Sequence, residues 1–337
     1  MKAYRIHEMK GIDGLRFDDL PRPEPGPGEV RIRVRAVSLN YRDLLVINGQ
    51  YARNLPLPLV PCSDGAGEVD AVGPGVATLK PGDRVAGCFF ADGWIDGPPR
   101  EAGGKSALGG AIDGMLVEER VLPASGVVPI PAHLTFEEAS TLPCAAVTAW
   151  HALIDSGGLK PGQSVLVQGT GGVSLFALQF SRIAGARVIA TSSHDEKLQR
   201  VKDLGAGDGI NYKTTPEWGK AVLGLTGGVG VDHVVEVGGA GTLGQSLKAV
   251  KAGGHVAMIG VLTGAGEAGV TPILMKNVRV QGIYVGSRAM FDDMTRAISL
   301  HRLRPVVDRV FPFAEARDAY AHLASGGHFG KVVIRVG

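Results

Sequence analysis

Apolar residues follow two different rhythms along this chain. Up to about residue 127, short β-type runs (Val30–Val37, Gly67–Val72, Arg84–Ala86 and Leu116–Leu122) alternate with Pro/Gly clusters such as PRPEPGPGE and GPGVATLKPGD. That grammar predicts a mostly β domain. Phe89 to Gly114 is glycine-rich with little periodicity and reads as one long loop. From Val165 the rhythm changes. The apolar run Val165–Gln168 is a strand, and Val173, Phe176, Ala177 and Phe180 then fall at i, i+3, i+4 and i+7, one face of a helix that stops at Gly185. Further strands are expected at 187–191, 210–212, 231–237, 255–261 and 278–285, with helices near 195–204, 217–225 and 243–250. Six strands alternating with helices imply an α/β fold with a doubly wound parallel sheet. After residue 288 come two amphipathic helices and a closing run, KVVIRV, which has no local partner and is expected to return to the N-terminal β domain. The expected division is 1–127 with 286–337 for the β domain and 128–285 for the sheet domain.

Composition narrows the class. The 337 residues carry 35 Lys plus Arg against 33 Asp plus Glu, a formal charge of +2. That balance disfavours a nucleic-acid partner, which calls for a strongly basic surface. Three cysteines (Cys62, Cys88, Cys144), none in a CxxC pair, give no disulfide framework and no local zinc knuckle. No run of about 18 apolar residues occurs, so the expectation is a soluble, cytoplasmic protein with no membrane partner.

The 50 glycines serve turns and close approaches, and one group has chemical meaning. Gly169-Thr170-Gly171-Gly172-Val173-Ser174 follows a strand and opens a helix, the context in which GxGxxG marks a dinucleotide pyrophosphate site. Ser174 stands where the third glycine would be, a packing position that tolerates a small side chain. At the end of the next strand an NAD enzyme places an acidic residue for the ribose 2′-hydroxyl, and here the residues are Thr191, Ser192 and Ser193. Hydroxyls and nearby cations suit a 2′-phosphate. With Lys197 and Arg200 on the following helix and Tyr212 ending the third strand, the expected cofactor is NADP(H).

The landmarks LNYRD (39–43), DGAGEVDAVGPGV (64–76), PGDRVAG (81–87), LPCAAVTAWHAL (142–153), GTGGVS (169–174) and HFGKVVI (328–334) together resemble the medium-chain dehydrogenase/reductase superfamily over essentially the whole chain. The resemblance implies a GroES-like β domain carrying substrate, a Rossmann domain carrying NAD(P), and a cleft between them. Zinc alcohol dehydrogenases of that superfamily hold a catalytic metal with Cys, His and Cys. Those positions fall here on Asn40, Ser63 and Cys144, and the four-cysteine structural lobe is missing, so no metal is expected. What remains is similar to NADPH:quinone oxidoreductases and to enoyl-reductase modules. The tyrosine that enoyl-thioester reductases use as proton donor corresponds to Tyr51. The resemblance also points to Thr148 near nicotinamide and to Lys331 as a cofactor contact. Strand ends at Gly238, Gly260, Val261 and Val285, followed by Ser287 and Arg288, complete the expected cofactor set.

Hydride transfer without a metal needs an acceptor that spreads the incoming charge and a donor to receive it. The expected reaction is therefore NADPH-dependent reduction of quinones, enones or other activated alkenes, with Asn40 or backbone N–H on the enolate oxygen and Tyr51 giving the proton. Alternatives are reduction of an aldehyde or ketone with the reverse alcohol oxidation, and, from another class, a non-catalytic NADPH-binding protein. Arg42 with Asp43 is a candidate structural ion pair. Trp94, Phe89, Phe90, Met115, Met290 and Phe291 are candidates to line an apolar pocket. The strand ending at Val285 closes one sheet edge and is expected to pair with its copy in a homodimer.

Overall fold

Alternate positions of Glu29–Leu39 are apolar, and this segment becomes the strand on which the first sheet is built. The computed structural model describes residues 1–52, 54–99, 101–263, 266 and 269–337. They form two units, Met1–Val147 with Gly286–Gly337, and Thr148–Val285.

In chain order the first unit holds β1 (Lys2–Ile6), β2 (Leu15–Asp19), β3 (Glu29–Leu39), α1 (Tyr41–Ile47), β4 (Asp64–Val72), β5 (Arg84–Gly87), β6 (Glu119–Pro123), β7 (Val127–Pro129) and α2 (Phe136–Ala139). A short helix, α3 (Val147–Trp150), leads onward. The second unit comprises β8 (Ser164–Gln168), α4 (Gly172–Ile183), β9 (Arg187–Ser192), α5 (Asp195–Asp203), β10 (Asp208–Asn211), α6 (Trp218–Leu225), β11 (Val231–Glu236), α7 (Ala240–Ala249), β12 (Val250–Met258), α8 (Thr271–Met275) and β13 (Arg279–Gly282). The chain then returns to the first unit with α9 (Arg288–His301), β14 (Val307–Pro312), α10 (Ala316–Ala324) and β15 (Lys331–Arg335).

Within the first unit, β1 and β2 form an antiparallel hairpin, and a seven-stranded sheet runs β14-β15-β3-β4-β5-β7 with β6 also on β3. The closing strand β15 pairs antiparallel with β3, Val332 opposite Leu39 and Arg335 opposite Ala36. Two features differ from the sequence reading. The unit runs on to Val147, past 127, because β7 pairs with β5 and the segment after it packs back on the sheet, α2 against β3 and β4. A further strand, β14, lies parallel to β15 with α10 connecting them; its alternation is blurred by Asp308 and Arg309, which hid it. The core gathers Val30, Ile32, Val37, Leu39, Val69 and Ile334, each fully or almost fully buried, worth about 1.5–3 kcal/mol per side chain. Phe89, Phe90, Trp94 and Met115 are buried too, with ring centroids 4.8 Å apart for Phe89 and Phe90 and 5.8 Å for Phe90 and Trp94. They are packing residues, as is Phe291.

The second unit is a six-stranded parallel sheet ordered β10-β9-β8-β11-β12-β13. Strand order reverses between β8 and β11, which makes their carboxyl ends the switch point where doubly wound sheets bind ligands. Leu166, Ile189, Val234 and Val256 from the strands pack with Val222 and Leu247 from the helices. No helix among the described residues is long and apolar enough to cross a membrane.

At the opposite end of this sheet, His233 and His255 sit side by side on β11 and β12, both buried, with Nδ1 atoms 3.4 Å apart. Burial pushes each imidazole down to about 4, helped for both by the Arg279 charge and opposed at His233 by Asp232. The unfolded chain takes up protons near the ordinary histidine value of about 6.5. Stability from keeping the pair neutral is therefore present above that value and lost as pH falls toward 4. We expect the urea unfolding midpoint to drop between pH 7 and pH 4, and His255→Asn to flatten that slope; equal slopes in both proteins would show that the pair does not set the pH dependence.

Candidate active site

The glycine loop lies at the switch point. Gly169 has φ +70° and Gly171 caps α4, and a Cβ at either position would meet nothing within 4 Å. The space beside both is thus open to an approaching group. No side chain caps α4, so its first N–H groups and the positive end of the helix dipole face that space. Thr170 is buried. Ser174 is buried as well, and its hydroxyl donates to the carbonyl of Gln168 at 2.5 Å. The residue in the third glycine's place closes the loop from inside. Gly172 and Val173 begin α4. An open glycine turn with uncapped helix N–H groups fits the pyrophosphate of a dinucleotide.

Other residues expected at the cofactor cluster at the same carboxyl ends. β9 ends on Thr191 and Ser192, both buried; Thr191 Oγ1 accepts from Gly169 N at 3.4 Å, and Ser192 Oγ accepts from His194 N at 3.4 Å. The Ser193 hydroxyl contacts His194 Nδ1 at 2.8 Å, Lys197 is half-buried on α5, and Tyr212 is exposed after β10. Past β11, Gly238 accepts the Thr263 hydroxyl at 2.9 Å. Gly260 follows β12 so tightly that a Cβ would fall 1.6 Å from Val237 O, leaving glycine as the residue that fits, and Val261 beside it is exposed. Thr148 is buried near the start of this unit. Val285 has φ +55°, and its carbonyl is taken by His151 Nδ1 at 2.7 Å. Sequence reasoning missed Gln168 and Glu236, whose side chains join the ends of β8 and β11 at 2.7 Å; a polar residue closing each of two apolar strands was the available signal.

The remaining candidates belong to the first unit, and several correct the sequence reading. Ser287 caps α9, its hydroxyl accepting from Met290 N at 3.2 Å. Arg288 follows it, with Asp292 3.5 Å away. Lys331, expected as a cofactor contact, is 3% exposed, and its ammonium donates to Leu39 O at 2.6 Å and to Asn40 Oδ1 at 2.5 Å, with Asp64 Oδ2 at 4.0 Å. Asn40, expected on an enolate oxygen, enters this cluster through its carbonyl. Its Oδ1 accepts from Lys331, while its buried Nδ2 has no hydrogen-bond partner among the described residues. Burial raises the Asp64 carboxyl, while Lys331, Asn40, Ser63 and the Cys144 N–H pull it back. Asp43, fully buried, accepts from Asn40 N at 2.7 Å, and burial pushes it up to about 6 against the pull of Arg42. Arg42 donates to Leu108 O at 2.7 Å, and its guanidinium lies 4.6 Å from the Tyr51 ring and 4.7 Å from the Phe89 ring. A Cβ at Gly110 would collide with this guanidinium. Tyr51 is half-buried and held by that stacking.

These residues do not fit a catalytic zinc. The Asn40 carbonyl is taken by an ammonium, and the Ser63 hydroxyl donates to Asp64 at 2.7 Å. Of the three positions only Cys144 carries a side chain that binds zinc well, and an open catalytic site needs three such ligands. Among the described residues no group of three His, Cys, Asp or Glu is arranged to hold a metal ion.

Comparison with known proteins agrees with both units. Residues 26–132 match the alcohol dehydrogenase GroES-like domain, and residues 172–300 match the zinc-binding dehydrogenase family. The chain is 46% identical to a zinc-type alcohol dehydrogenase-like protein of Schizosaccharomyces pombe, over 99% of each chain. It is 29% identical to a quinone oxidoreductase of Rattus norvegicus, over 99% of this chain and 97% of the relative. A solved NAD-dependent alcohol dehydrogenase is 37% identical, with a TM-score of 0.91 over 100% of both chains. The chain therefore belongs to the medium-chain dehydrogenase/reductase superfamily and is an oxidoreductase of its NAD(P)-dependent kind.

Proposed function

We propose that this oxidoreductase reduces quinones, enones or other activated alkenes with NADPH and without zinc. The observation that carries the reading is the Lys331–Asn40–Asp64 cluster, in which an ammonium takes the carbonyl of Asn40, one of the three positions that the resemblance matches to zinc ligands. A simple carbonyl calls for strong polarisation of the kind a metal supplies. A conjugated acceptor spreads the incoming electron pair itself. When bound, the dinucleotide supplies the hydride. The Gly169–Val173 turn would hold its pyrophosphate. Thr191, Ser192 and Ser193, with no carboxylate at the end of β9 and with Lys197 and Tyr212 nearby, favour a 2′-phosphate. Gly238, Gly260, Val261, Val285 and Thr148 would shape the nicotinamide end, with Ser287 and Arg288 as further contacts. Tyr51, steadied by Arg42, is the proton donor in this reading, and Asn40 orients Lys331 through Oδ1 while its Nδ2 is the donor for the enolate oxygen.

The test is a panel of quinones, enones, enoyl thioesters, aldehydes and alcohols, with NADPH or NADH, with and without chelator. The expected result is NADPH-dependent turnover of a conjugated acceptor, indifferent to chelator and lowered about tenfold or more by Tyr51→Phe, within the range general acids supply. Chelator-sensitive alcohol oxidation, or tighter binding of NADH than NADPH, would overturn it.

The buried cluster makes its own demand. Lys331→Met leaves Asp64 without its cation, and breaking such a buried pair costs about 3–5 kcal/mol. Urea unfolding should show a loss of that order; a change under about 1 kcal/mol, the scale of an exposed pair, would mean that the ammonium is not the counter-charge.

The protein is further proposed to be a cytoplasmic homodimer. Val270, Leu274 and Met275 leave a patch of apolar side chains exposed around α8, in the same unit as the edge strand β13, an arrangement that invites a second copy. Sizing at micromolar concentration should give twice 35.1 kDa, and Leu274→Asp should shift it to monomer. A wild-type monomer would end this proposal.

A further inference from the structure

β8 and β11 are neighbours in the parallel sheet, and each runs through a glycine turn into a helix, α4 after Gly169–Gly171 and α7 after Gly238–Gly239. Each helix start therefore brings free N–H groups and a positive dipole end to the carboxyl edge of the sheet, and each attracts an anion. The two are treated differently. The start of α4 has no capping side chain and open space around its glycines. The start of α7 is filled by Glu236, which is fully buried. Its Oε1 accepts from Gly238 N at 2.8 Å, Gly239 N at 2.9 Å and Thr242 Oγ1 at 2.5 Å. Its Oε2 accepts from Gln168 Nε2 at 2.7 Å and from the Ser246 hydroxyl. Five donors converge on an acceptor-only group, the arrangement that a buried carboxylate requires.

Gln168 carries this arrangement into the neighbouring turn. Its Oε1 lies 3.3 Å from Val237 N and Gly238 N, its carbonyl accepts the Ser174 hydroxyl at 2.5 Å, and the next residue is Gly169. The Gly169–Ser174 turn is thus tied to Glu236 through Gln168, whose side chain meets the carboxylate and whose carbonyl takes the Ser174 hydroxyl.

We propose that Glu236 is an internal anion that fills the start of α7 and, through Gln168, holds the Gly169–Gly172 turn in the shape that receives the dinucleotide pyrophosphate. It is a positioning residue: it leaves one helix start, α4, for the cofactor and fixes the geometry of that start. The proposal rests on the reading of Gly169–Gly172 as the dinucleotide turn.

The test is direct titration of NADPH and NADH, followed by nucleotide fluorescence, into the full-length wild type, Glu236→Gln, Glu236→Ala and Gln168→Ala, with and without sodium formate. Glu236→Gln replaces an acceptor by a donor facing other donors and should weaken nucleotide binding about tenfold or more, the scale of one lost hydrogen bond to a charged group, with the far-ultraviolet dichroism unchanged. Formate, a free carboxylate, should restore most of the affinity of Glu236→Ala and none of that of Gln168→Ala, a pattern that a general loss of packing would not produce. Wild-type affinity in Glu236→Gln, or a defect in Glu236→Ala that formate leaves untouched, overturns the inference while the turn keeps its assignment. A wild type that binds neither nucleotide overturns the turn's assignment and the inference with it. Should Glu236→Ala fail to fold, Glu236→Gln and Gln168→Ala decide the matter by affinity alone.

Discussion

A charge taken out of water must meet an opposite charge or a shell of oriented dipoles, and each unit of this protein is organised around one such burial. In the β unit the charge is Asp64, fully enclosed, with the Lys331 ammonium 4.0 Å away and Asn40, Ser63 and the Cys144 N–H completing its surroundings. In the sheet unit it is Glu236, enclosed by backbone N–H groups, two hydroxyls and the Gln168 amide. The first solution uses a cation and the second uses dipoles alone. Both draw on residues far apart in the chain, so both stitch elements together as well as neutralise a charge.

That stitching explains what was legible beforehand. The glycine turn, the six strands and most helix limits depend on neighbours within a few residues, and local periodicity reports them. The closing strand was readable because an apolar run with no local partner has to pair elsewhere. What escaped depends on distant contacts. Lys331 looks like an ordinary basic residue until β15 is laid beside β3 and its side chain meets Asn40. Glu236 looks like a polar strand end until Thr242 and Ser246 come round on α7. β14 escaped for another reason: Asp308 and Arg309 are half-buried or exposed and interrupt its alternation. The aromatic residues after β5, read as a possible pocket lining, are buried packing instead, because composition does not say which side of a loop faces water.

The same residues tie the buried charge of the β unit to its neighbours. Asn40, Ser63 and Cys144, the three positions that the resemblance matches to zinc ligands, each make a structural contact here. Asn40 holds Lys331, Ser63 holds Asp64, and Cys144 offers its N–H to Asp64. The positive charge beside them is the Lys331 ammonium, supplied by the final strand, β15.

The position of that final strand bears on how the molecule is made. β3 pairs with β15 along Ala36–Leu39, and the contact lies 292 residues apart in the chain where Lys331 reaches Leu39. During synthesis, therefore, one flank of the central strand and the counter-ion of Asp64 are both absent until Lys331–Arg335 leaves the ribosome. The nucleotide unit, whose strands pair within Ser164–Gly282, has every partner it requires well before then. Nascent chains thus carry a completed nucleotide unit beside an N-terminal sheet that still has an unguarded edge, and that interval is when the polypeptide is most exposed to wrong pairing and to chaperone capture.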